Sequence, residues 1–163
     1  VAVEAGVFDK ALVAYDRLLD LAHTHDSPLW AGAAHANLGC IAIVSAQPDL
    51  AYWHFQQEVE MAKASHDTKW EGRASFKVAK SLIMQPHILD MENLVRERLE
   101  KAHECAIASG DSRGLERVTE QMAAPSLQHH FSDTTPHTHT HSEAHTTSID
   151  TEGGGGFSGK PPP

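Results

Sequence analysis

Positive charge is scarce in this chain: 13 Lys and Arg stand against 22 Asp and Glu, leaving a formal net charge of −9. A nucleic-acid binder neutralises phosphates with a basic face, so no nucleic-acid partner is expected. Cysteine occurs only as Cys40 and Cys105, and neither belongs to a C-x-x-C pair. Two isolated thiols inside apolar helical patterns read as reduced, inert core residues rather than a disulfide, which points to an intracellular compartment. No apolar run approaches the roughly 18 residues that suggest a membrane span, and no basic-then-apolar leader opens the chain. Because it begins on Val1 in the middle of a pattern, a fragment or processed product is expected.

Recognisable catalytic patterns are missing as well. There is no H-E-x-x-H, no nucleophile elbow and no convincing acid/base pair. Gly154 to Lys160 spells G-x-x-x-x-G-K, but a phosphate loop needs a strand before it and a helix after it. Pro161, Pro162 and Pro163 forbid that helix, so a Gly-rich tail is the reading. A non-enzyme without a cofactor is expected.

The chain divides by composition. Residues 1–124 are rich in Ala, Leu, Glu and Lys; residues 125–163 are rich in His, Thr, Ser, Gly and Pro. The first part repeats itself. Ala11, Tyr15, Leu19 and Ala22 match Ala51, Phe55, Val59 and Ala62 at an offset of 40, as Trp30, Gly32 and Ala34 match Trp70, Gly72 and Ala74. A third copy follows after a further shift of four: Ala62 to Asp67 corresponds to Ala106 to Asp111, with the extra residues placed near 85–89. Such periods signal stacked supersecondary units.

Within a copy the spacing is helical: Phe8, Ala11, Leu12, Tyr15, Leu18, Leu19 and Ala22 recur in threes and fours as one apolar face. The small residues Ala11, Ala22, Ala51 and Ala62 allow helix backbones to approach, with Tyr15 or Phe55 filling the neighbouring hole. The breaks at 25–28, 65–68 and 109–112 each offer Asp or Ser as an N-cap. Pro28 suits a first helical turn, and Pro48 and Pro86 mark the other turns. These signals predict an all-α domain over 1–124, with helices near 7–24, 28–45, 48–65, 69–85, 88–109 and 112–124 pairing as antiparallel hairpins. The part from 125 to 163 is predicted to be a disordered tail, since it has little apolar surface to bury.

Asn37-Leu38-Gly39, followed by Ala46, Asp49, Ala51, Phe55, Val59 and Ala62, resembles the tetratricopeptide repeat. The likeness covers 5–122 and is to the long-repeat variety of Pins-type spindle scaffolds, rapsyn-like proteins and ciliary members. Val78-Ala79 stands where Leu-Gly is the pattern, and the third unit carries an insertion, so other α-solenoids stay open. The resemblance implies a right-handed α-α superhelix whose first-type helices, 28–45, 69–85 and 112–124, line the concave binding surface. It also implies that Asn37 hydrogen-bonds a peptide backbone there, in a cytoplasmic setting that includes cytoskeletal and ciliary assemblies.

Those helices carry a basic lane. Lys69, Arg73, Lys77 and Lys80 follow at spacings of four, four and three, which aligns them on one helix face, and Arg113 and Arg117 continue the lane. The expected partner is an acidic peptide or carboxylate-bearing helix; the alternative is that these cations face solvent or pair with Glu71 and Glu116. In the helix near 88–109, Glu92, Glu97, Glu100 and Glu104 alternate with Arg96, Arg98 and Lys101, a lattice that reads as a solvated face.

Histidine is the remaining signal. His129, His130, His137, His139, His141 and His145 crowd the tail, and His137, His139 and His141 form a candidate site for Zn²⁺, Cu²⁺ or Ni²⁺. The competing readings are a plain polar segment and one phosphorylated near Thr135-Pro136. His23, His25 and Asp26 are read as cap or turn residues, because positions two apart do not share a helix face. The expected role is a protein-interaction adaptor. A structural segment of a larger array and a metal-binding protein acting through the tail are the alternatives.

Overall fold

The computed structural model describes the backbone of residues 2–85, 91–125 and 127. The expected disorder of the tail, the candidate ligands His137, His139 and His141, the Gly154 to Lys160 stretch and Pro86 lie outside the described residues. So does position 88, where the fifth helix was expected to begin.

The described residues form six helices and no strand: α1 (Ala2–Thr24), α2 (Pro28–Val44), α3 (Pro48–Ala64), α4 (Thr68–Ile83), α5 (Glu92–Ser109) and α6 (Ser112–Met122). The expected all-α class agrees with this, and the expected helix bounds agree to within a few residues, except that α1 begins at Ala2 instead of 7 and the expected start at 88 is not among the described residues. Each helix packs chiefly on its neighbours in sequence, and α4 also touches α6.

One turn, written four times, drives the reversals. Asp26, Ala46, His66 and Gly110 all have left-handed backbone, with φ of 47°, 55°, 54° and 66°. In each case the next amide reaches back to an alanine carbonyl: Ser27 to Ala22, Gln47 to Ala42, Asp67 to Ala62 and Asp111 to Ala106. The left-handed residue's own amide bonds three positions back, to His23, Ile43, Lys63 and Ile107. This double bond is the Schellman arrangement, which satisfies carbonyls that a helix end leaves without partners. All four acceptor alanines are buried, so the small residue that closes the turn also lets the next helix approach.

The following helices start as the sequence implies. Ser27 accepts from the Trp30 amide at 3.4 Å and Asp67 from the Trp70 amide at 2.9 Å. Pro28 and Pro48 open α2 and α3, where a missing N–H costs nothing. Asp111 departs from the pattern: at the start of α6 its carboxylate accepts chiefly from Arg73 of α4.

The core runs through α2 to α6 and joins Ala42, Ala51, Phe55, Val59, Ala74, Val78, Leu82, Val95, Leu99 and Val118. Close approach depends on glycine. A Cβ on Gly39 would overlap the Phe55 ring, one on Gly32 would overlap the Trp70 ring, and one on Gly72 would lie 2.7 Å from Cys105 Cβ. Phe55 fills a hole, but that hole is at Gly39 of α2 and not one left by the expected alanines.

Two further expectations need correction. Cys105 is buried, but Cys40 is exposed. The reason is that α2 holds no charged residue, so its composition does not mark which face points outward. The face expected on α1 is also covered less than its spacing implied: Ala22 is buried, Phe8, Tyr15, Leu18 and Leu19 are half-buried, and Leu12 remains 38% exposed. Among the described helices, α1 has one principal neighbour, α2, whereas α3 lies between two.

Candidate functional site

Helix α4 carries the site. Its buried stripe, Gly72, Ala74, Ser75, Val78, Ala79 and Leu82, faces the core, and this turns Lys69, Arg73, Lys77 and Lys80 towards the other side. Two of these cations reach inward. Arg73 donates through Nε to Asp111 Oδ2 at 2.6 Å and through Nη2 to Asp111 Oδ1 at 3.1 Å, a bidentate fork. Those hydrogen bonds hold the Asp111 carboxyl at about 2, against the opposing effect of its burial. The same bonds raise the Arg73 pKa.

Lys77 donates to both oxygens of Glu58, at 2.8 and 3.0 Å. The Trp70 indole Nε1–H also donates to Glu58, at 3.0 Å. Glu58 is only 2% exposed, and a carboxylate so buried is tolerable only with partners of this kind. The Lys77 ammonium also lies 5.7 Å from the centre of the Phe55 ring.

A cleft of about 380 Å³ opens beside these pairs, lined by Lys69, Trp70, Arg73, Phe76, Lys77 and Arg117 together with Glu58 and Asp111. A second hollow of about 320 Å³ lies between α2 and α4 and shares Lys69, Trp70 and Arg73 with the first. Arg113 and Arg117 join Arg73 and Glu116 around a third. Arg73 lines all three hollows, so the lined face passes from Leu29 and Ala33 at the start of α2 over α4 to Arg113 and Arg117 of α6.

The structure distributes the sequence-predicted residues unevenly over this face. Arg73, Lys77 and Arg117 line the main cleft, and Arg113 lies beside it. Lys80 is exposed farther along α4. Asn37 is exposed on α2, where its Nδ2 donates to the Ala33 carbonyl of its own helix at 2.7 Å. The partners considered for the lane were Glu71 and Glu116; the bonded partners of Arg73 and Lys77 are Asp111 and Glu58, while Glu71 meets Lys101 of α5 at 3.3 Å. On α5 itself, Arg96 lies 3.6 Å from Glu92.

Glu58, Trp70 and Asp111 were not recognised as parts of the site. Glu58 had a readable signal: it stands 40 positions after Leu18, so a carboxylate occupies a core-facing place in the repeat. A buried charge in such a place calls for a cation nearby.

Another unforeseen pair joins α2 to α3. His35 and His54 are buried, and their Nδ1 atoms lie 3.1 Å apart. The Trp53 ring meets both edge-on, with centroids 5.6 and 4.8 Å away. Burial lowers both histidines. His35 falls from 6.5 to about 4, with His54 and His23 adding to the effect, while Asp16 opposes the shift of His54. Elsewhere, His23 lies in the last turn of α1, and His25 and Asp26 form the turn after it, with the His25 ring 5.6 Å from Trp30. Among the described residues no three metal-capable side chains cluster, and no helix is long and apolar enough to cross a membrane.

Set against known family models, curated proteins and solved structures, the chain finds no match.

Proposed function

We propose that this chain is a protein-interaction adaptor: a short array resembling tetratricopeptide repeats, coiled as a right-handed superhelix, that receives an acidic peptide or helix on the face of α2, α4 and α6. The observation carrying this reading is that Lys69, Arg73, Lys77 and Arg117 gather around one cleft in a chain of net charge −9. The cleft's two carboxylates, Glu58 and Asp111, are both buried and bonded to Lys77 and Arg73. Lys69 and Arg117 are therefore the lining cations that meet an incoming ligand without a carboxylate partner of their own among the described residues. Recognition is by shape and charge, without a covalent step or cofactor, and fits a cytoplasmic scaffold.

The test is to replace Lys69 and Arg117, both exposed, with Glu and to titrate the protein with a labelled run of Asp and Glu in a Gly/Ser context. At about 0.2–1 kcal/mol per exposed pair, losing two pairs should lower affinity roughly two- to thirtyfold. Its salt dependence should weaken, because exposed charges are screened within about 10 Å at 0.1 M salt. Unchanged affinity removes the proposal.

A second reading is favoured by α1, where Val7, Val13 and Leu21 are 61%, 52% and 51% exposed. Apolar surface of this kind suits end-on stacking in a larger assembly such as a ciliary complex. Light scattering on the Val13→Ser/Leu21→Ser variant tests it: self-association that the changes abolish supports stacking, and a monomer in both forms counts against self-stacking.

A further inference from the structure

The proposed binding face changes chemistry partway along. The repeat register sets Leu29 against Lys69, Ala33 against Arg73, Cys40 against Lys80 and Val44 against Met84, each pair 40 apart. The same register sets Asn37 against Lys77, so α4 is basic at four of these positions, Lys69, Arg73, Lys77 and Lys80, while Met84 follows its end. On α2 none is, and the whole helix contains no Asp, Glu, Lys or Arg. Leu29 and Val44 are nevertheless 63% and 68% exposed, and Ala33 and Cys40 are exposed beside them. Asn37 interrupts this stripe, so the apolar surface that adjoins α4 is the Leu29 and Ala33 end of α2, and exposed apolar side chains beside a hollow suit a contact surface.

The join between the two chemistries is a physical hollow. Leu29 and Ala33 line it from α2, Lys69, Trp70 and Arg73 line it from α4, and Asp67, whose carboxylate accepts from the Trp70 amide, lies at its edge. The Trp70 indole is fixed there by its bond to Glu58 and by its packing over Gly32.

We infer that the segment received on this face is composite, with bulky apolar side chains that settle on α2 at Leu29 and Ala33 beside an acidic run that settles on α4 and α6. This deepens the adaptor reading and rests on it. Charge complementarity selects the composite. A uniformly acidic segment crossing all three helices would lay carboxylates over α2, where no cation meets them and their desolvation goes uncompensated. A uniformly apolar segment would strip water from Lys69 and Arg73 without replacing it. The two blocks need a spacer of about three residues, since packed helices lie roughly 10 Å apart and an extended chain advances about 3.3 Å per residue.

The experiment uses the full chain and three fluorescein-labelled peptides, read by anisotropy. One carries an Asp/Glu run in a Gly/Ser context. The second adds a leucine pair across the spacer, prepared at either end, and the third keeps the leucines without the acidic run. The better-placed leucine peptide should bind about tenfold more tightly than the acidic run alone, the gain from partly burying a leucine side chain. The Leu29→Gln/Ala33→Gln variant should lose that gain and keep its affinity for the acidic run. Both positions are exposed, and an unchanged thermal midpoint verifies the fold. Equal affinity for the first two peptides, or a gain that survives in the variant, overturns the composite ligand and leaves the adaptor reading standing. Failure of all three peptides to bind removes both.

Discussion

Arg73 in α4 and Asp111 at the head of α6 lie 38 positions apart in sequence and share two hydrogen bonds, of 2.6 and 3.1 Å. The fork ties together two helices that have few other contacts, and it orients one wall of the cleft. Asp111→Asn should therefore lower the thermal midpoint at neutral pH, and Arg73→Lys should do so less, because a lysine keeps the charge without the fork. The sign with pH follows from the Asp111 carboxyl being held at about 2 instead of 3.8. As pH falls the unfolded chain takes up its proton first, so the stabilisation is complete above about 4 and is lost towards 2. The gap between wild type and Asp111→Asn in thermal melts should narrow over that window; a gap that persists at pH 2 contradicts the assignment.

The histidine pair predicts a separate loss at milder acidity. His35 is lowered from 6.5 to about 4 by burial, with His54 and His23 adding. A depressed pKa means the unfolded state binds the proton first, so stability falls as pH drops from about 6.5 towards 4. From His35 alone the loss is on the order of 3 kcal/mol. Urea unfolding of wild type and of His35→Gln at pH 7 and pH 5 checks this: the midpoint should fall more steeply in the wild type.

The left-handed turns offer a stabilising change. Ala46 has φ 55°, a conformation that costs an L-residue roughly 1–2 kcal/mol and costs glycine little. After allowing for the extra freedom of glycine in the unfolded chain, Ala46→Gly should raise stability by about 0.5–1 kcal/mol. Gly110→Ala, at φ 66°, should lower it by a comparable amount. Denaturant melts of the two variants should move in opposite directions.

Packing at the glycines makes the opposite kind of prediction. Gly39→Ala would drive a methyl group into the Phe55 ring and should cost about 1–3 kcal/mol, the usual range for overpacking. Adding Phe55→Leu, which frees space at the same point, should restore part of that loss. If the double variant is no more stable than Gly39→Ala alone, the contact is not the cause.

Helix positions were legible in the sequence because proline, Ser/Asp caps and small residues repeat at fixed places. Why the helices stop was less legible. Ala22, Ala42 and Ala62 stand 20 apart, as do Asp26, Ala46 and His66, but comparing copies at an offset of 40 matches Ala22 with Ala62 and passes over Ala42. The left-handed positions also carry no glycine until Gly110, so the usual residue cue is missing. In the site, the spacing of Lys69, Arg73 and Lys77 revealed a common face. It could not reveal that Arg73 and Lys77 bend inward to Asp111 and Glu58, since those partners lie on other helices. Burial of His35 and His54 depends on the same long-range packing, and the uncharged α2 has no polar stripe from which to read its outward side.

The central claim, that the face of α2, α4 and α6 is the working surface, is tested most directly by amide NMR of the uniformly ¹⁵N-labelled full chain titrated with the acidic peptide. Shift changes should cluster at Lys69, Arg73, Arg113 and Arg117 and fade in the Lys69→Glu/Arg117→Glu variant. Changes centred on the Glu97 to Lys101 side of α5, or no changes at a peptide excess that saturates binding, would contradict it.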